Sequence, residues 1–219
     1  GRIVAEGVGL GWFGRHALAV GIRLEGWVPE LLGFEDGVLY LLARGPEGEA
    51  SVTPETMAEY IAARARALPA TADRSTELAG RQTVWEIAGE LVGDALGPAN
   101  LPARLPLVNP VVRALLRVAE PSIIDGHIAR DLWLSAKTTA GMAGWRKTDF
   151  ADRAFSHREL LSYDPAYDVA TPVDDVPARD RELTGRSRRR WEELTGLAIE
   201  SERWLLHRFV HLWEHRRRG

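Results

Sequence analysis

Apolar positions recur at helical spacing over most of this chain. Phe13, Ala17, Val20 and Leu24 mark one face of a first helix. Val28 to Leu32 and Val38 to Leu42 are short apolar runs joined by G-F-E-D-G, and the Asp36-Gly37 pair predicts a hairpin turn between two antiparallel strands. The polar stretch Arg44 to Ser51, with Gly45, Pro46 and Gly48, reads as a linker that closes this segment near Gly45. Beyond it the pattern turns helical. Thr53 caps a helix whose first residue is Pro54, with Met57, Tyr60, Ile61, Ala65 and Leu68 inward. A second helix is expected from about Ser75 to Leu96, burying Val84, Ile87, Leu91 and Ala95 with Trp85 packed on the same arc, and stopping at Gly97-Pro98. A third, shorter helix starts at Asn109-Pro110 and closes at Glu120-Pro121. Short strands are expected around Leu132 and over Trp145 to Lys147. After a Pro-containing segment, Ala170 to Pro177, one helix covers about Arg179 to Leu194 and Thr195-Gly196 breaks it. A last helix runs from about Leu197 to His215 with Leu205, Leu206, Phe209, Leu212 and Trp213 inward.

Composition narrows the function classes. With 219 residues, 45% of them hydrophobic, the chain can build a sizeable core. Its formal net charge of −3 gives no field that would recruit nucleic acid. Arg216 to Arg218 form a basic run at the end of the chain, which reads as a frayed terminus. The absence of cysteine excludes disulfides and thiolate metal sites and fits a cytoplasmic location. No apolar run reaches the roughly 20 residues a membrane span requires, and no signal peptide is evident. The chain starts at Gly1 and its first Met is Met57, so it reads as a piece of a longer or processed polypeptide.

Two motifs invite a chemical reading that the residues support poorly. G-V-G-L-G-W-F-G, from Gly7 to Gly14, would suit a phosphate loop only behind a strand and ahead of a helix. Ile3 to Ala5 offers little strand, so a structural turn is the expectation. His207, His211 and His215 lie four apart on the last helix, but no carboxylate or thiolate is spaced with them, so a packed or solvated face is expected rather than a metal stripe.

Polar groups concentrate between Ile123 and Ala170. Apolar runs deliver Asp125 and Asp149, and Asp164 and Asp168 follow within Y-D-P-A-Y-D-V-A. Buried carboxylates need hydrogen-bond partners or a metal. The 24-residue separation of Asp125 and Asp149 leaves room for a hairpin through Leu132-Trp133-Leu134 and Gly141 to Gly144 that brings them together. Asp168 suits a structural role at a helix start, accepting backbone N–H groups.

The order of a small sheet and helix, a hinge-like linker, long helices, a polar loop and an Asp-bearing strand resembles the later part of the small-molecule kinase fold of aminoglycoside and choline phosphotransferases. Tyr163 to Ala170 resembles the segment G-D-P-A-x-D-L-A that those kinases carry just after their metal-binding Asp. Lys147-Thr148-Asp149-Phe150 is similar to the segment that holds that Asp, and Ile124-Asp125-Gly126-His127 to the catalytic loop. The resemblance spans roughly Gly11 to Trp213. It implies an α+β, mostly helical fold: a partial N-lobe-like helix and β-hairpin over residues 1–45, and a kinase-like C-terminal lobe over 46–219 carrying the polar site. It further implies Mg²⁺ and ATP, with Asp125 as base and Asp149 on the metal. Beside these, His127 reads either as orienting Asp125 or a phosphate or as a hydrogen-bonded structural histidine, and Arg130 and Lys147 are candidate phosphate contacts. The partners so implied are a nucleotide and a small hydroxylated or amino substrate, together with other domains of a longer chain; no nucleic acid or membrane partner is expected.

Departures from the pattern leave two readings. The family has an Asn five residues after its catalytic Asp, where this chain has Arg130 followed by Asp131. Either Asp131 substitutes as a metal ligand, or the metal is held differently, or none is held. The insertion between Asp149 and Asp164 is long, and no nucleotide-covering loop or phosphate-binding Lys precedes Gly7. The intact Asp125 and Asp149 favour an ATP-dependent phosphotransferase. The missing Asn and upstream lobe favour a catalytically inactive kinase-like binding or scaffolding module.

Overall fold

The computed structural model describes residues 1–43, 52–72, 84–97, 118–137, 143–151, 163–171 and 181–218. The linker near Gly45, the start of the second helix, the third helix from Asn109 and most of the 170–177 segment lie outside the described residues, as do the side chains of Trp85 and His215. The chain is α+β with small antiparallel sheets, and helices form its larger part.

Strand β1 (Arg2–Gly7) leads into helix α1 (Trp12–Arg23), then β2 (Glu30–Glu35) and β3 (Val38–Ala43), in the sheet order β1-β3-β2. The hairpin turn is where the sequence puts it: Asp36 and Gly37 both take positive φ, 47° and 80°, as a two-residue type I′ turn requires. β2 itself is shifted to 30–35 and carries an irregularity between Leu31 and Gly33. β1 corrects the expectation of little strand at Ile3 to Ala5, because all six of its residues pair with β3. The Gly-rich turn therefore does follow a strand and open a helix. Its glycines have a packing reason. A Cβ on Gly14 would meet the Phe34 ring and the Gly9 carbonyl at 2.4 Å, so α1 can lie on the sheet only with hydrogen at that position. Ala17, Val20 and Leu24 are buried as expected, whereas Phe13 at the start of the helix is exposed.

Helix α2 (Pro54–Ala67) follows, with Thr53 Oγ1 accepting the Thr56 N–H at 3.2 Å and Pro54 in the first turn. Met57, Tyr60, Ile61 and Leu68 are buried as the periodicity requires, whereas Ala65 is half-buried, and Ala58, Ala62 and the charged Arg64 are buried beside them. Helix α3 (Val84–Leu96) ends at Gly97, whose φ of 56° is the left-handed conformation of a C-terminal stop. Ile87 and Leu91 are buried, but Ala95 is exposed. A short 3₁₀ turn at Arg130–Leu132 leads to the hairpin β4 (Trp133–Lys137) and β5 (Ala143–Lys147). Helices α4 (Pro165–Val169), α5 (Arg181–Thr195) and α6 (Ser201–Arg218) complete the described chain.

One apolar core runs from α1 and β3 through α2 to Phe150, Trp191 of α5 and Ile199. The first 43 residues and the helical part thus share their interior. A second cluster joins Ile87 and Leu91 of α3 to Ile124, Tyr167, Leu206 and Val210. Helix α6 starts at Ser201 rather than Leu197, because Arg188 and Glu192 bind the Ile199 backbone outside any helix. Its inward face differs from the apolar count as well. Leu205 and Leu212 are exposed, and His207 and His211 are buried in their place. Among the described residues no helix is long and apolar enough to cross a membrane.

Candidate functional site

The segment Ser122 to His127 is held by partners far away in sequence. Ser122 N donates to Tyr163 O and Ile123 N to Leu68 O, both at 2.9 Å, which pins the loop between α2 and the start of α4. Asp168 then takes the next two amides: Asp125 N donates to its Oδ2 and Gly126 N to its Oδ1, each at 2.8 Å. This is the structural role expected of Asp168, reached from inside α4 rather than from its cap. The cap is Asp164, whose Oδ1 accepts the Ala166 N–H at 3.0 Å. Gly126 sits at φ 76°, a conformation that turns its N–H toward Asp168 at little cost only for glycine.

The Asp125 carboxylate is fully enclosed and engaged on both oxygens. Oδ2 accepts from Tyr60 OH at 2.5 Å and lies 3.3 Å from Arg64 Nη1; Oδ1 accepts the His127 N–H at 3.2 Å and lies 3.5 Å from Lys147 Nζ. Trp27 and Trp133 pack edge-on against the Tyr60 ring. All three nitrogens of the Arg64 guanidinium are engaged here. Besides Asp125 and the Tyr60 hydroxyl oxygen, it donates to Ile123 O at 3.0 Å, Ile124 O at 2.9 Å and Phe150 O at 2.9 Å. Lys147 is entirely buried, its ammonium also donating to Thr148 O at 2.6 Å, so it faces Asp125 rather than an open phosphate position.

Burial sets the titration of this cluster. It pushes the Tyr60 hydroxyl well above its ordinary range and pulls Lys147 down, the latter opposed by the charges of Asp125 and Asp149. Burial alone would lower Arg64 too, but Tyr60, Asp125 and Asp168 outweigh it and the guanidinium is held more tightly protonated than usual. Asp168 is pushed up to about 7, first by burial and then by the Asp125 charge, against the pull of the amides it accepts and of Arg64.

Asp149 and Asp131 lie at the other end of this arrangement. In the β4–β5 ladder Trp133 pairs with Lys147, and Thr148 extends it by donating N–H and Oγ1 to Leu132 O at 2.9 and 3.0 Å. Asp131 lies in the 3₁₀ turn before β4, and Asp149 in the turn that follows β5. Asp131 is exposed and Asp149 half-buried. Asp149 has φ 50°, left-handed backbone that a non-glycine residue rarely adopts and that Asp tolerates better than most. Arg130 is half-buried, and its Nε has no hydrogen-bond partner among the described residues. Among those residues no three His, Asp or Glu side chains gather as a metal-binding group.

The chain matches no protein-family model, no curated protein and no solved structure. The site is therefore read from its own geometry.

Of the three histidines on α6, His207 and His211 are packed against α4 and its cap. His207 Nε2 lies 2.9 Å from Asp164 Oδ2, and His211 Nε2 lies 2.8 Å from Tyr167 O with its ring 4.2 Å from the Tyr167 ring. Arg203 completes the pairing with Asp164 at 2.8 Å. Burial would raise Asp164, but the His207 hydrogen bond and charge, with Arg203, hold it below its ordinary value. This cluster clamps α6 onto α4, the helix that presents Asp168 to the Asp125 loop.

Arg64 is the functional residue that the sequence did not disclose. An arginine amid Ala62, Ala63 and Ala65 reads as a solvated helix position, and its acceptors at 123–125 and 150 lie about 60 and 86 residues away. The available signal was its place on the arc shared by Met57, Tyr60, Ile61 and Leu68, where a charge is costly without a buried partner.

Proposed function

We propose that this chain is a kinase-like module that binds a nucleotide through a divalent cation and does not use Asp125 for phosphoryl transfer. One observation carries the reading. A general base must come within hydrogen-bond reach of the proton it accepts, and the Asp125 side chain is enclosed, with Tyr60, Arg64, Lys147 and the His127 amide on its two oxygens. Asp125 is then the counter-ion of two buried cations. The element order supports the resemblance itself: a small sheet with a helix, long helices, a polar loop, an Asp-bearing hairpin and the Y-D-P-A-Y-D-V-A helix start.

The donor set at the end of the hairpin fits Mg²⁺, which takes oxygen ligands and is commonly held by one or two carboxylates together with phosphates and water. Asp131 and Asp149 would hold it. When bound, the ion would neutralise phosphate charge. Arg130, next to Asp131 in sequence, would add its positive charge there, whereas Lys147 is buried against Asp125.

The second reading, an ATP-dependent phosphotransferase acting on a small substrate, is favoured by the left-handed Asp149, since unusual backbone concentrates at working sites. Calorimetry with MgATP, followed by an ADP-release assay over a panel of small alcohols and amines, separates the two. Binding without ADP release is the expected outcome. Substrate-dependent ADP release that Asp125→Asn abolishes in a folded protein would overturn it in favour of the enzyme.

A further inference from the structure

Arg64 touches neither Asp131 nor Asp149, yet it is bonded to the backbone on both sides of the site. Its Nε and Nη2 take the carbonyls of Ile123 and Ile124, the two residues before Asp125, while Nη1 takes the carbonyl of Phe150, the residue after Asp149. A planar guanidinium offers five N–H donors in a fixed fork, so these bonds set a distance as well as a charge. Each segment it joins also has a support of its own, and Lys147 pairs with Asp125 from the end of β5. The Asp125 loop hangs on Asp168, and the Asp149 turn hangs on the β4–β5 ladder through Thr148 and Leu132. Within this site the guanidinium bonds to the backbone of both, beside Lys147, whose ammonium reaches Asp125 Oδ1 and Thr148 O.

We propose that Arg64 is a positioning residue that fixes the Asp149 turn relative to the Asp125 loop, so that cation affinity at the hairpin end depends on a side chain at the centre of α2. Its fork makes the spacing rigid, and the side chain is buried, away from competing water. Lys cannot replace it, because an ammonium on a flexible stem cannot span Ile123 O, Ile124 O and Phe150 O together. The cation readout rests on the reading of Asp131 and Asp149 given above. The coupling of the two backbone segments does not.

The test uses the whole chain and two variants, Arg64→Lys and Arg64→Gln. The second leaves the Lys147–Asp125 pair to compensate the carboxylate and is the better candidate to fold. Two quantities are read: Mn²⁺ affinity, by the paramagnetic signal of the free ion, and amide hydrogen exchange. Both variants should stay folded by circular dichroism, bind Mn²⁺ about 10- to 100-fold more weakly, as loss of an outer partner of a metal ligand does, and lose protection over residues 123–126 and 149–151 together while α5 is unchanged. Folded variants with Mn²⁺ affinity within about twofold of wild type and unchanged exchange at both segments would overturn the proposal. So would failure of both variants to fold, since Arg64 would then belong to the folding core. A wild-type chain that binds no Mn²⁺ removes the metal reading alone, and the paired exchange then decides the role of Arg64.

Discussion

Replacing Asp125 by Ala distinguishes a structural counter-ion from a catalytic base by stability alone. The carboxylate is fully enclosed between Arg64 and Lys147, whose side chains are themselves buried. Removing it leaves two cations without their anion in the interior. Breaking one buried pair by deleting a partner typically costs about 3–5 kcal/mol. The Tyr60 hydroxyl loses its acceptor as well, for about 1–3 kcal/mol, though the two losses share one site and do not add in full. A total near 5 kcal/mol is a large share of the roughly 5–15 kcal/mol that folded domains possess. For a domain of this size each kcal/mol moves the midpoint by about 2–4 °C, so Asp125→Ala should melt roughly 10–20 °C below wild type. Asp125→Asn keeps an acceptor for Tyr60 and should fall between the two. Adding Lys147→Met to Asp125→Asn removes one orphaned cation and should recover part of the loss, a coupling that a double-mutant cycle in urea reads directly. Asp125→Ala melting within about 3 °C of wild type would refute the reasoning, because an anion that compensates two buried cations cannot be deleted so cheaply.

Three further outcomes follow from the same geometry. Asp149→Asn should abolish Mg²⁺-dependent nucleotide binding in calorimetry while leaving the melting temperature nearly unchanged; binding that survives would move the cation site elsewhere. Asp168, pushed up to about 7 in the folded chain, keeps its proton where the unfolded chain, titrating near about 4, has released it. Its contribution is therefore fully present below about pH 4 and is lost as pH rises through about 7, and Asp168→Asn should remove that part of the slope in a urea series from pH 4 to 8. Asp164, whose value is lowered, has the opposite sign: its stabilisation is present above the ordinary carboxylate range and disappears as pH falls through the depressed value. Gly14→Ala drives a methyl into the Phe34 ring and the Gly9 carbonyl, and thermal melting should show a loss of about 1–3 kcal/mol.

What the sequence disclosed was local. Thr53-Pro54 and Asp36-Gly37 specify a cap and a turn within four residues, and both form as read. β1 was missed because its partner lies on β3, and a six-residue strand gains its hydrogen bonds only from that distant pairing. The face of α6 was misplaced because histidine was counted as polar, whereas His207 and His211 are buried by bonds to Asp164 and Tyr167. The same limitation hid Arg64. The Asp residues of the centre were legible as a set because Gly and Pro mark their turns, but which of them would be open and which enclosed depended on α2, whose contribution no local pattern announces.

That division between enclosed and open carboxylates is the main physical result for function. A buried network of Tyr60, Arg64, Asp125, Lys147 and Asp168 is a poor way to gain stability, since ion pairs removed from water roughly cancel their own attraction and apolar residues of similar volume often serve as well or better. What such a network supplies is geometry. Each member has several bonds of fixed direction, and together they leave the backbone of the Asp125 loop and of the Phe150 carbonyl no freedom to drift. The half-exposed Asp149 next to that carbonyl inherits the rigidity without contributing to it. A ligand at Asp149 and Asp131 would meet a site already ordered, and binding would not have to meet the entropy of ordering the turn. The enclosed and the half-exposed carboxylate thus have complementary parts under the proposed function, in which Asp125 holds the frame and Asp149 would face the cation.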